Sequence, residues 1–191
     1  MLTKIAHGIA SFFAEKEIIE PRYIEVYQYG LEQIISTFYS LLTLLIIGLC
    51  CNAFLETILF SVFFIVLRHY AGGYHADTYL GCYLSLIGIF IAFLAVIKFV
   101  PQWIQFPLGI GFAVAGGIIV ACLSPVEHKN RPLSDYEKVH FKKFAWIVLA
   151  VEILVSALLI PYFEGNLAFA GVTCIFLMAV LQLLALVKNR E

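Results

Sequence analysis

Charged residues are scarce in this sequence. Only 13% of its 191 residues are Asp, Glu, Lys or Arg, whereas 62% are apolar and the mean hydropathy is +0.96. Soluble domains usually contain about 25% charged residues, and the apolar runs here are long enough to cross a bilayer. The shortage of charge therefore excludes an ordinary soluble domain and predicts an all-α integral membrane protein, a single helical domain over residues 1–191.

Other absences narrow the class further. Residues 1–33 carry charges throughout, so no cleavable signal peptide is expected. The five cysteines are odd in number and lie in or beside apolar segments, which argues against a disulfide framework. The net charge of −1 gives no reason to expect a nucleic-acid partner. The sequence has no ATP-binding loop, so an exporter built on it would need another driving force.

Apolar periodicity predicts two structural regions. Residues 1–33 have apolar side chains at helical spacing, which predicts amphipathic helices on the membrane surface or, alternatively, soluble helices packed on a bundle. Residues 34–187 predict a six-helix transmembrane bundle, with a tight hairpin near Asn52 and Glu56 that divides the first apolar run. The predicted spans are 34–51, 53–67, 78–98, 106–124, 143–160 and 167–187.

Lys and Arg are distributed unequally between the two predicted sides of the membrane. Nearly all of them fall in residues 1–33, in the 68–77 and 125–143 loops and in the C-terminal tail, whereas the opposite side has only Lys98. Because cytoplasmic loops are enriched in Lys and Arg, both termini and both of these loops are predicted to be cytoplasmic.

A polar, glycine-containing stretch, residues 68–82, interrupts the apolar sequence. Gly72 and Gly73 should end the preceding helix, since glycine readily adopts positive φ at helix ends. Either Asp77 or Thr78 is a suitable N-cap for the next helix.

Cys82 would then lie just over one turn inside that helix, near its positive end. This position, with an imidazole nearby, favours the nucleophilic thiolate. On one continuous helix His75 and Cys82 would lie about 10 Å apart along the axis, whereas a working Cys–His pair needs hydrogen-bond contact. Residues 72–77 should therefore fold back and place His75 over the first turn of the helix.

The residues alone leave three interpretations of this stretch open. In the first, Cys82 is a nucleophile, His75 is its base, and Asp77 or another acceptor orients the imidazole. In the second, His69, His75, Asp77 and Cys82 bind a metal such as zinc, although their spacing matches no strong metal signature. In the third, all four residues are structural.

Three charged residues are further candidates. Arg68 would neutralise an acidic part of a substrate or hold a developing oxyanion, or else anchor lipid headgroups. The side chain of Glu32 is predicted to face either the site or water. Glu152 lies within a predicted span, where an acidic residue is a functional candidate by default, although a protonated interhelical hydrogen bond explains it better than catalysis.

Three patches of the sequence carry a family resemblance. The most specific is the run Arg68-His69-Tyr70-Ala71-Gly72-Gly73-Tyr74-His75-Ala76, with Cys82 seven residues after the second histidine. The other two are Tyr29-Gly30-Leu31-Glu32 and the proline-flanked 124–133 loop. Together they resemble the accessory gene regulator B family, the membrane cysteine endopeptidases of Gram-positive quorum-sensing systems.

The resemblance implies an enzyme without a metal or cofactor, in a bacterial cell membrane, with His75 and Cys82 as the catalytic pair at the cytoplasmic face. The implied partner is a precursor peptide with an amphipathic leader, a central pheromone segment and an acidic tail. Cleavage before the tail would leave the pheromone segment as a thioester on Cys82. A side chain of the peptide would then attack the thioester and close a thiolactone or lactone ring.

The resemblance also implies roles for other residues. The predicted orienting, oxyanion or substrate contacts are Asp77, Arg68, Gly72, Gly73 and Glu32, and the predicted tail-docking residues are Lys129 and Arg131. A homodimer in contact with membrane lipid is favoured. The alternative function is a membrane transporter or exporter of a small peptide without catalysis.

Overall fold

The computed structural model describes residues 2–73, 78–127, 133–161 and 166–188. The fold is all-α in these ranges, as the composition predicts. The helices are α1 (Leu2–Glu15), α2 (Ile24–Cys50), α3 (Phe54–Ala71), α4 (Tyr79–Phe99), α5 (Gln102–Leu123), α6 (Asp135–Leu159) and α7 (Asn166–Lys188). A short 3-10 helix, Pro21–Tyr23, precedes α2.

Within the described residues, five helical segments are long and apolar enough to cross a membrane. They are Pro21–Cys50, Phe54–Ala71, Tyr79–Phe99, Gln102–Leu123 and Asn166–Lys188. The sixth predicted span, 143–160, coincides with most of α6, which has 25 residues but is not among the five. Lys142, Lys143 and Glu152 make α6 more polar than the other long helices. The number of spans therefore stays a prediction.

The α2 helix joins two segments that the sequence separates. The sequence predicts amphipathic helices within residues 1–33 and a separate first span at residues 34–51, but Ile24–Cys50 is one uninterrupted helix that crosses this boundary. A change from amphipathic to uniformly apolar sequence does not require a break, because the backbone hydrogen bonds of a helix continue whatever the side chains are. The expected boundary near residue 34 is therefore a change of polarity along one helix.

The predicted hairpin between the first two apolar segments is confirmed. The chain turns at residues 51–53, where Asn52 has a φ of 49° and Ala53 N–H donates to Gly48 O at 2.8 Å. The Thr57 hydroxyl donates to Ala53 O at 2.6 Å. A Cβ at Gly48 would collide with the side chain of Thr57, so glycine at this position allows α2 and α3 to approach closely.

Residues 1–44 form the first of two compact units. In this unit α1 is linked to α2 by a hydrogen bond of 2.9 Å from His7 Nδ1 to Gln28 Oε1. Ala6 and Ala10, which lie on the same face of α1, are fully buried.

Residues 45–191 form the second unit, and α7 is its central helix. Of the most apolar stretch of α7, 61% is buried, against 17% in α4 and in α5. The α7 helix contacts α3, α4, α5 and α6. At Gly116 of α5 an added Cβ would lie 2.9 Å from Phe176 Cα, so these two backbones pack closely, as is typical of helices in membranes. The α7 helix is therefore packed between α3, α4, α5 and α6.

Candidate active site

The α3 helix ends at Ala71, where the sequence predicts that it stops. Gly72 has a φ of 71° and a ψ of −163°, in a region that is open almost exclusively to glycine. Its N–H donates to Arg68 O at 3.1 Å and completes the last turn. Gly73 also has a positive φ, of 147°. The two glycines therefore turn the chain out of the helix.

The turn at Gly72 packs directly against the segment that follows α5. Val126 N–H donates to Ala71 O at 3.0 Å, and Gly72 and Val126 form an isolated parallel bridge. A Cβ at Gly72 would collide with the carbonyl oxygen of Val126. Pro125, which precedes Val126, follows a cis peptide bond. Two of the sequence patches that carry the family resemblance, 68–76 and 124–133, thus touch in the fold.

Gln182 of α7 joins the same two segments, and the sequence analysis missed it. Its side chain is fully buried, and Nε2 donates to Ala71 O at 2.9 Å and to Ser124 Oγ at 3.0 Å. A polar side chain in an apolar span must find a hydrogen-bond partner, because lipid offers none. A glutamine within the predicted span 167–187 was therefore a usable signal, although the sequence does not show which groups it binds.

Cys82 lies in the first turns of α4, as predicted. Thr78 is the N-cap, because its hydroxyl oxygen accepts a hydrogen bond of 3.0 Å from Gly81 N–H. Cys82 N–H donates to Thr78 O at 3.0 Å, and the cysteine is a half-buried free thiol. The positive end of the helix dipole therefore acts on the sulfur.

Arg68 is a charged residue that the structure brings near Cys82. It lies in the last turn of α3, with its guanidinium carbon 5.4 Å from the centre of the Phe64 ring. Arg68 and Cys82 interact electrostatically. The end of α3 and the start of α4 thus place a cation and a thiol in one region, where positive charge stabilises a thiolate or an oxyanion.

Several predicted site residues lie outside the described residues: His75, Asp77, Lys129 and Arg131. The hydrogen bond between His75 and Cys82 therefore stays a prediction. Glu32 belongs to the first unit, where it is buried and accepts a hydrogen bond of 3.0 Å from Gln28 Nε2. Its part in the site also stays a prediction.

The metal interpretation gains no support from the part of the chain that the structure describes. No group of three His, Cys, Asp or Glu side chains lies close enough there to hold a metal ion. His69 is exposed and contacts aromatic rings instead, with its ring centre 4.8 Å from that of Tyr70 and 6.2 Å from that of Phe141.

The predicted basic loop 125–143 is shorter in the structure, because α6 begins at Asp135 and residues 135–143 are helical. The segment between α5 and α6 is fixed at both of its ends. Glu127 and Lys138 form an ion pair of 2.9 Å, and the hydrogen bond and charge of Glu127 raise the pKa of Lys138. Ser134 and Glu137 form a capping box that begins α6. On the other side, Val126 is bonded to the end of α3. The loop therefore leaves the helical bundle beside the Gly72 turn and re-enters it at the capped start of α6.

The comparison with known proteins covers nearly the whole chain. The family profile described as Accessory gene regulator B matches residues 6–186. The chain belongs to this family. Membership implies a role in quorum-sensing peptide processing, and the apolar helices are consistent with a membrane protein of this kind.

Individual relatives agree with the family assignment. An AgrB-like protein of Clostridium perfringens (strain 13 / Type A) is 32% identical over 175 residues, which cover 85% of this chain and 81% of that protein. The accessory gene regulator protein B of Staphylococcus haemolyticus (strain JCSC1435) is 25% identical over 146 residues, 75% of each chain. No solved structure matches.

The contact between Gly72 and Val126 leads to a stability prediction. Gly72→Ala should lower the free energy of unfolding by about 1–3 kcal/mol, because alanine is strained in this backbone conformation and its Cβ would meet the carbonyl of Val126. Gly88→Ala in α4 is the matched control, since nothing lies within 4 Å of an added Cβ there. Denaturant unfolding of the detergent-solubilised protein measures the difference. Equal stability of the two variants would contradict the contact.

Proposed function

We propose that this protein is a membrane cysteine endopeptidase that removes the acidic C-terminal tail from an autoinducer peptide precursor. The observation that carries the proposal is the position of Cys82, a half-buried free thiol in the first turns of α4, at the positive end of that helix. Family membership supports peptide processing as the role of the chain. A cysteine in such surroundings is suited to nucleophilic attack.

The proposed reaction consists of two acyl transfers. The Cys82 thiolate attacks the carbonyl carbon at the junction of pheromone segment and tail, after His75 takes the thiol proton. Arg68 stabilises the oxyanion, and His75 then gives its proton to the departing amine of the tail. A thiol or hydroxyl of the pheromone segment next attacks the thioester, and His75, now neutral, takes its proton. This second attack closes the ring and breaks the bond to Cys82, which leaves as a thiolate and regains its proton from His75.

Ring closure competes with hydrolysis of the thioester. Exchange between a thioester and a substrate thiol has little energetic cost, and a site partly screened from water favours this exchange over hydrolysis.

We place the site at the cytoplasmic surface of a bundle of six spans, with both termini and the N-terminal amphipathic segment also cytoplasmic. The distribution of Lys and Arg supports this topology. We expect the enzyme to be a homodimer.

The basic loop is the proposed docking site for the acidic tail. Val126 contacts the Gly72 turn, so the loop starts beside the segment that leads to His75. Lys129 and Arg131 follow Val126 by three and five residues in the sequence, and we expect them to bring positive charge to that region. The amphipathic leader of the precursor would lie on the membrane beside α1.

The first test removes the proposed catalytic groups. Cys82→Ala and His75→Ala should each abolish cleavage of a synthetic precursor peptide by proteoliposomes, because the nucleophile or its base is lost. Cys122→Ala, which removes an exposed cysteine from the last turn of α5, is the matched control and should cleave normally. Full cleavage by either catalytic-site variant would overturn the peptidase proposal. A peptide exporter without catalysis would instead tolerate Cys82→Ser and release unprocessed peptide.

The second test concerns tail docking. The double substitution Lys129→Glu and Arg131→Glu should raise KM for the precursor by about tenfold, equivalent to about 1.4 kcal/mol, because attraction to the acidic tail becomes repulsion. Steady-state cleavage assays at low ionic strength measure this effect. Lys98→Glu, a reversal on the opposite predicted face, should leave KM unchanged. A KM that does not respond to the loop substitutions would exclude tail docking at these residues.

A further inference from the structure

The α7 helix supports the glycine turn through two side chains that are one helical turn apart. A Cβ at Gly73 would lie 3.2 Å from Met178 Cε, so this methionine packs directly beneath the turn. Gln182, four residues later on the same face, donates to Ala71 O and to Ser124 Oγ. Both Met178 and Gln182 are fully buried. The central helix of the second unit therefore contacts the end of α3 and the end of α5 at one place.

The orientation of the Gln182 amide is determined by its partners. A backbone carbonyl can only accept a hydrogen bond, so the nitrogen of the amide must face Ala71. Ala71 O already accepts a bond of 3.0 Å from Val126 N–H, and Gln182 adds a second donor at 2.9 Å. This extra bond is not needed to satisfy the carbonyl. Its effect is to hold the end of α3 to the centre of the bundle.

The two groups that Gln182 holds precede the two predicted functional segments. Ala71 lies four residues before His75 in the sequence, and Ser124 lies five residues before Lys129. A shift at either bond would therefore displace the start of a segment that has to meet Cys82 or the substrate. Displacements of about 1 Å in an active site are sufficient to lower rates strongly.

We infer that Gln182 is a positioning residue, which orients the His75 segment towards Cys82 by holding Ala71 and Ser124. This inference rests on the proposed function, since it requires His75 to act on Cys82. It assigns no contact between Gln182 and the substrate. It predicts that Gln182 affects the reactivity of Cys82 only when His75 is present.

The test uses the reactivity of Cys82 towards iodoacetamide in the full-length protein. Alanine replaces Cys50, Cys51, Cys122 and Cys174, so that Cys82 is the sole cysteine. Gln182→Met keeps the size of the side chain and removes the donor. It should slow alkylation at neutral pH by about fivefold, because an imidazole that is no longer held in place activates the thiol less well.

The control substitution is Gln105→Met in α5. Gln105 is also buried, and its amide also donates to a backbone carbonyl, that of Val100 at 3.1 Å. It lies at the opposite end of α5 from Ser124. The two variants lose the same kind of hydrogen bond, so a general loss of stability should affect both alike. Gln105→Met should leave the alkylation rate of Cys82 within about twofold of the parent.

A double-mutant cycle with His75→Ala separates positioning from a structural role. His75→Ala should slow alkylation on its own, and adding Gln182→Met should slow it no further. Equal slowing by Gln182→Met with and without His75, or no slowing at all, would overturn the inference while leaving the catalytic pair intact. An alkylation rate that His75→Ala does not change would instead overturn the pair, and the inference with it.

Discussion

The contact between the end of α3 and the segment after α5 is the constraint on which the rest of the site depends. Ala71 is fully buried, so its backbone carbonyl needs partners where α3 ends, and it receives N–H groups from Val126 and from Gln182. Gly72 makes the approach possible because it has no Cβ and tolerates the required backbone angles. The chain therefore leaves α3 in a fixed direction.

This contact links a buried helix to the predicted site. The α7 helix contributes none of the predicted catalytic residues, yet it is the most buried of the candidate spans and it carries the amide that joins both segments. Packing in the bundle is thus linked to the site through one backbone carbonyl, that of Ala71, and one hydroxyl, that of Ser124. The positions of Cys82 and Arg68 follow from where α4 begins and where α3 ends.

Local signals predicted the elements around the site well. The helix stop at Gly72, a cap at Asp77 or Thr78 and the hairpin near Asn52 follow from glycine conformation, side-chain capping and the length of a span. The stop and the hairpin are confirmed, and Thr78 is the cap of the two that were predicted. The continuity of α2 was missed, because polarity was read as a boundary. The contacts of Gln182 with Ala71 and Ser124 span 111 and 58 residues, and no local pattern contains such information.

The central claim is that Cys82 carries the pheromone segment as a thioester. The protein is incubated with a precursor peptide in which alanine replaces the ring-closing nucleophile, and the reaction is quenched in acid. Mass spectrometry of the protein then detects any covalent adduct. We expect a precursor without its tail, attached to Cys82 and released by hydroxylamine. Release of the tail with no adduct on the protein, or with an adduct on a residue other than Cys82, would contradict this claim.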